Sequence, residues 1–254
     1  CMGQCAHHAA GRTSDRATHS YARPAYCSDS DGFWPDAHLL SVAGRMDKMR
    51  MSGVWASVLV ATVLWFIMFS PYTSGIVSFW PLMSVSGIVL TLLAFWQGGN
   101  PFEGKCGLMS HLLLALVIAV ALWCLFWVGD KVSQMLFSFA RPQIDAIYDM
   151  KSGFPQWAIA LLLLFVIGPA EELFWRGYVQ RMMSVRWGAW WGFVCSTLCY
   201  TAVHVWSGNL MLLLAAATCG CLWGFLYFLM PKRLPALIIS HALWDVAAFV
   251  VFPF

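Results

Sequence analysis

The chain is a ladder of apolar runs separated by short polar gaps, and little else constrains its fold as strongly. Seven runs cover residues 54–70, 76–97, 108–129, 154–170 with an extension, 187–206, 210–230 and 234–252. Each approaches the roughly 20 residues that a helix needs to cross a bilayer. Hydrophobic residues make up 60% of the sequence and charged ones only 11%, against about 25% charged in soluble domains. The expectation is an all-α, polytopic transmembrane helical bundle of about seven membrane helices. Gaps at 71–75, 207–209 and 231–233 are short, so neighbouring helices should pack antiparallel. The exception is 130–153, a mixed apolar and charged stretch expected to lie along the membrane surface as an amphipathic helix.

The 15 tryptophans suit interfacial anchoring, although several sit mid-segment and must pack inside. Nine cysteines, an odd number lying mostly in apolar segments, form no secreted disulfide framework and read as small core residues. A net charge of +3 gives no argument for a nucleic-acid partner.

Residues 1–50 differ in kind. They are rich in Ala, Ser, Asp, Arg and His, with no periodicity and no apolar run, so they are neither a signal peptide nor an evident domain. Cys1 is not an initiator, whereas Met46, Met49 and Met51 lie just ahead of the first apolar run. The tract is expected to be disordered or non-native upstream sequence, with the functional domain at 51–254. Loop charges orient the bundle. Arg45, Lys48, Arg50, Lys105, Arg176, Arg181, Arg186, Lys232 and Arg233 fall on one side, and Lys131, Arg141 and Lys151 on the other. The positive-inside rule then puts the N-terminus in the cytoplasm.

Against this apolar background, ionisable groups inside the runs stand out, because each costs roughly 2.5–3.5 kcal/mol on insertion scales. Glu171 and Glu172 follow the fourth run, with Arg176 one turn on; His204 ends the fifth; His241 and Asp245 share a face of the seventh. Successive helical residues differ by about 100° in direction, so the two glutamates cannot serve one purpose. Glu172 and Arg176 have the spacing of an intrahelical ion pair in the favourable order. Glu171, without a local partner, is the candidate base, since a desolvated carboxylate is a better base near neutral pH. An Asp245–His241 hydrogen bond would fix the imidazole tautomer; the alternative is a polar clamp between helices. For Glu171 to approach the depth of His204, the fourth helix must continue through the glutamates, from Phe154 to about Ser184. Together the groups suit amide hydrolysis, with Glu171 drawing a proton from water and imidazoles binding a metal or an oxyanion. Neither a Gly-x-Ser-x-Gly elbow nor a His-Glu-x-x-His helix is present.

Glu171-Glu172-x-x-x-Arg176, then Tyr200-x-x-x-His204, then His241-x-x-x-Asp245 resemble the three ordered motifs of the CPBP intramembrane proteases. These are the type II CAAX prenyl endopeptidases and their bacterial relatives, also called the Abi family. The resemblance covers about residues 154–252, and the Glu-Glu-x-x-x-Arg motif followed by Gly177 is its most specific part. It departs from the family pattern at Tyr200, usually Phe, and at Asp245, commonly Asn. The resemblance implies an intramembrane endopeptidase in which Glu171 activates water with His204, while His241 and Asp245 stand near the tetrahedral intermediate. The expected enzyme class is a metalloendopeptidase, with Glu171, His204 and His241 as the residues that could make a Zn2+ site, although the sequence does not force one. The implied partners are membrane lipid and a membrane-anchored or prenylated peptide or protein substrate, and the expected location is the bacterial cytoplasmic membrane. Two other classes share these features. One is a non-catalytic protein of the same fold, such as a bacteriocin-immunity factor or scaffold. The other is a transporter with a buried proton relay, which inverted repeats would favour; no convincing repeat is present.

Overall fold

The computed structural model describes residues 51–102 and 106–254, so the tract 1–50 lies outside the described residues. All regular structure among the described residues is helical. This follows from the solvent: in hydrocarbon each backbone N–H and C=O must be satisfied within the chain, and a helix does this segment by segment. Helices α1 (Met51–Phe69), α2 (Phe79–Gly98) and α3 (Leu108–Leu136) come first. A short amphipathic helix, α4 (Ala140–Asp149), follows. Next are the long α5 (Gln156–Trp187), α6 (Ala189–Ala202) with a 3-10 extension Val203–Ser207, α7 (Leu210–Leu229) and α8 (Leu234–Val246).

Among the described residues, six helical spans are long and apolar enough to cross a membrane. The expected run 187–206 is the shortfall. It folds as the 14-residue α6, rising about 21 Å, continued by a five-residue 3-10 segment that adds about 10 Å, so the run has spanning length but not as one regular α-helix. Gly188, at φ +89°, sets its start by turning the chain out of α5 through a left-handed conformation.

The surface helix is also shorter than 130–153. Residues 130–136 continue α3, because the buried Asp130 carboxylate accepts from Lys131 Nζ at 2.9 Å and Gln134 Nε2 at 2.7 Å. A charge satisfied on its own helix does not end that helix. Only α4 fits the amphipathic description, with an exposed Arg141–Asp145 pair at 2.6 Å. Beyond it, Lys151 donates to the Phe249 carbonyl and lies over the rings of Tyr148 and Phe249. Burial there holds its pKa below the usual lysine value.

The cysteine expectation holds for Cys219, which is buried and free; Cys124 and Cys221 are exposed, and Cys106 is disulfide-bonded.

Helix α5 runs unbroken through both glutamates and packs against α2, α6 and α8. Two π-helical segments interrupt its α geometry, Leu163–Ile167 and Trp175–Gln180, one on each side of the glutamates. A third, Ala247–Val251, follows Asp245 on α8. Such bulges are uncommon and cluster at functional sites. The α5–α8 contact is close: a Cβ added at Gly168 would lie 2.9 Å from Ala242 Cα and 3.0 Å from its amide nitrogen. Small residues that let backbones approach are the usual device for helix pairing in membranes.

Candidate active site

The close approach at Gly168 brings Glu172, one turn further along α5, against His241 on α8. Glu172 Oε1 accepts from Arg176 Nη1 at 2.8 Å and from His241 Nδ1 at 2.8 Å. Because a carboxylate oxygen only accepts, His241 Nδ1 carries a hydrogen. Arg176 also donates to the carbonyls of Cys219 at 3.2 Å and Gly220 at 3.4 Å, which ties α5 to α7. Glu172 is 0% exposed and Arg176 2%, and Glu172 Oε2 is buried with no hydrogen-bond partner among the described residues. Two donors share one carboxylate oxygen, and the other is sealed from solvent.

Glu171 is placed differently. It is half-buried, and its Oε2 accepts from the Tyr200 hydroxyl at 2.9 Å. No partner of its other oxygen occurs among the described residues. The Tyr200 ring is held edge-on by Trp175 at 5.4 Å and covered by the Arg176 guanidinium at 5.0 Å. Arg176 thus steadies Glu172 directly and Glu171 through Tyr200.

His204 lies in the 3-10 extension of α6 and is buried. Its Nδ1 is 2.8 Å from the Tyr200 carbonyl, which can only accept, so Nδ1 is protonated. Its Nε2 accepts from the indole N–H of Trp65, at 3.2 Å, on α1. Both neighbours have a single hydrogen-bonding sense, and together they define a neutral Nδ1–H imidazole. Tyr200 links Glu171, through its hydroxyl, to His204, through its carbonyl, while Glu172 beside Glu171 holds His241 and Asp245 lies 3.7 Å from that ring, so the four candidate groups share one region of the bundle.

On α8, His241 is stacked face to face on Trp223 at 3.8 Å with 15° between the planes. Trp223 is itself fixed by donating to Ser240 Oγ at 2.9 Å. Asp245 Oδ1 is 3.7 Å from His241 Nε2, beyond hydrogen-bond length. Glu172, not Asp245, therefore makes the hydrogen bond that orients His241. Sequence spacing shows only partners on the same helix, and it missed Glu172–His241, Trp65 and Trp223. The mid-segment tryptophans were the one available signal.

Residues 153–247 match the family model described as type II CAAX prenyl endopeptidase Rce1-like. This segment belongs to that family. The Rce1-like segment begins three residues before α5 and ends just after Asp245, so it contains all six candidate residues and excludes α1 to α4. No curated protein and no solved structure gives a match. The chain is an integral membrane protein that carries an intramembrane-protease segment.

The set Glu171, His204 and His241 does not fit a zinc ion in this arrangement. Among the described residues no three His, Cys, Asp or Glu side chains converge as ligands. The Nε2 lone pair of His204 is taken up by the Trp65 N–H, whereas Nδ1–H of His241 on Glu172 leaves its Nε2 as the one imidazole nitrogen of the set open to a ligand role.

Proposed function

We propose that the protein is an intramembrane endopeptidase that hydrolyses a peptide bond near the membrane with Glu171 as general base. The observation that carries this reading is the contrast between adjacent carboxylates. Glu172 is sealed and shared by Arg176 and His241, whereas Glu171 is half-buried with one oxygen steadied by Tyr200.

In this scheme Glu171 takes a proton from water as its oxygen attacks the scissile carbonyl carbon. The C=O bond pair becomes an oxyanion on the tetrahedral intermediate. When that intermediate collapses, the C–N bond breaks and the proton held by Glu171 passes to the leaving amine. His241, held through Nδ1 by Glu172, presents its Nε2 side to the oxyanion; protonated at Nε2, it is the donor. Asp245 stands 3.7 Å from this nitrogen, at the edge of the region where the oxyanion forms. His204 shares the neighbourhood of Glu171 as a neutral ring. Preorganised donors aimed at developing charge are typically the largest single contribution to such catalysis.

The substrate class supported by the family is a membrane-associated prenylated peptide. The bundle has room for an apolar chain: a cavity of about 400 Å3 lies between α3, α4, α7 and the chain end. It is lined by Leu125, Phe126, Tyr148, Met211, Ala248 and Phe249 among others, and starts one turn beyond Asp245. Pockets of this size and apolarity hold small apolar ligands. Cleavage of an internally quenched, farnesylated peptide by protein purified in detergent tests the reading. The parent should cleave it, and Glu171→Gln should not.

A further inference from the structure

Helix α1 lies outside the Rce1-like segment, yet one of its side chains reaches into the candidate site. Trp65 is 1% exposed, and its Nε1–H donates to His204 Nε2 across 139 residues of sequence. Its ring meets the imidazole edge-on at 6.0 Å. One turn along α1, Phe69 approaches the same imidazole at 5.9 Å, and Tyr200 closes a third side at 5.0 Å. His204 therefore sits in an aromatic box, two walls of which come from α1.

Chemistry makes the indole contact directional. An indole N–H cannot accept, and a backbone carbonyl cannot donate. With Trp65 on Nε2 and the Tyr200 carbonyl on Nδ1, only one tautomer satisfies both partners. A protonated Nε2 would set two donors against each other inside an apolar box. A merely space-filling residue at 65 would impose none of this.

We propose that Trp65 is a positioning residue of the site: its N–H fixes the tautomer and ring orientation of His204, which makes α1 a working part of the catalytic unit. The indole acts through His204 and not on substrate. Hydrogen-bond partners of this kind on catalytic or ligating histidines commonly set ring orientation and basicity. The kinetic part of this inference rests on the proteolytic reading; the spectroscopic part stands without it.

Two replacements separate the N–H from the ring. Substitution of Trp65 by β-(3-benzothienyl)alanine keeps the bicycle and removes only the donor, and Trp65→Phe removes the donor with some loss of packing. Nitrogen-15 spectra of histidine-labelled protein in detergent, with the His204 signals assigned by their loss in His204→Gln, read the ring directly. The parent should show a protonated Nδ1 and a bare, hydrogen-bonded Nε2. The isostere should shift the Nε2 signal and lower kcat on the farnesylated peptide about five- to tenfold, as loss of one hydrogen bond implies. KM and Tm should not change. An Nε2 signal identical in parent and isostere, or an unchanged kcat alongside cleavage by the parent, overturns the proposal. If the parent does not cleave this peptide, or Glu171→Gln cleaves it undiminished, the proteolytic reading fails instead, and the His204 spectrum alone decides the role of Trp65.

Discussion

His241 Nδ1 lies 2.8 Å from Glu172 Oε1, joining α5 to α8 across 69 residues of sequence. The same oxygen receives Arg176 Nη1 at 2.8 Å. A carboxylate that appeared to neutralise one neighbour thus joins two helices and aims the imidazole of the third motif. Removing it leaves a buried guanidinium without its charge partner.

Breaking a buried pair of this kind by removing one member costs about 3–5 kcal/mol. Glu172→Ala and Arg176→Ala are therefore expected to lower the folded yield and the Tm in detergent, read by fluorescence-detected size exclusion after heating. A variant with the parent Tm and no cleavage would assign Glu172 a chemical role instead.

Gly168 gives a prediction about packing. A methyl group there meets the Ala242 backbone at about 3 Å, and overpacking typically costs about 1–3 kcal/mol. Gly168→Ala should lower Tm and separate Glu172 from His241, with a loss of kcat that Gly75→Ala, where a Cβ meets nothing, does not reproduce.

The Tyr200 hydroxyl donates to Glu171 Oε2 at 2.9 Å. Its loss should disorder the carboxylate without emptying the site, because the ring remains between Trp175 and Arg176. Tyr200→Phe is expected to stay folded and lose about 10- to 100-fold in kcat, the value of one hydrogen bond to a charged group. Unchanged turnover would show that Glu171 needs no such support.

Asp245 stands 3.7 Å from His241 Nε2 and makes no hydrogen bond to it. An amide of the same shape adds an N–H near the oxyanion. Asp245→Asn should cleave at least as fast as the parent, while Asp245→Ala should lose about tenfold, as neighbours supporting a functional histidine do. Equal loss in both would mean that the carboxylate charge itself is required.

Much of the fold was legible because the membrane imposes one local rule. Apolar runs of spanning length become helices, and the continuation of α5 through Glu171 and Glu172 follows from the apolar residues Phe174 to Met183. The Glu172–Arg176 contact was legible for the same reason, being a matter of i,i+4 spacing. What spacing could not give was anything between helices. Glu172–His241 depends on the approach of backbones at Gly168, and Trp65–His204 on the register of α1 against a 3-10 turn. The ends of α3 and α6 were misjudged for physical reasons too. Asp130 is satisfied within its own helix, and the chain tightens into a 3-10 segment at Val203, so the fifth run is not one regular α-helix.

The central claim is that Glu171 acts on water while Glu172 holds the site together. The most direct test compares Glu171→Gln with the parent at equal folded concentration on the farnesylated peptide. Loss of a general base lowers the rate by about 10²–10⁴-fold, and Tm should stay at the parent value, because Glu171 holds no buried cation. Cleavage at the parent rate by folded Glu171→Gln would contradict the account.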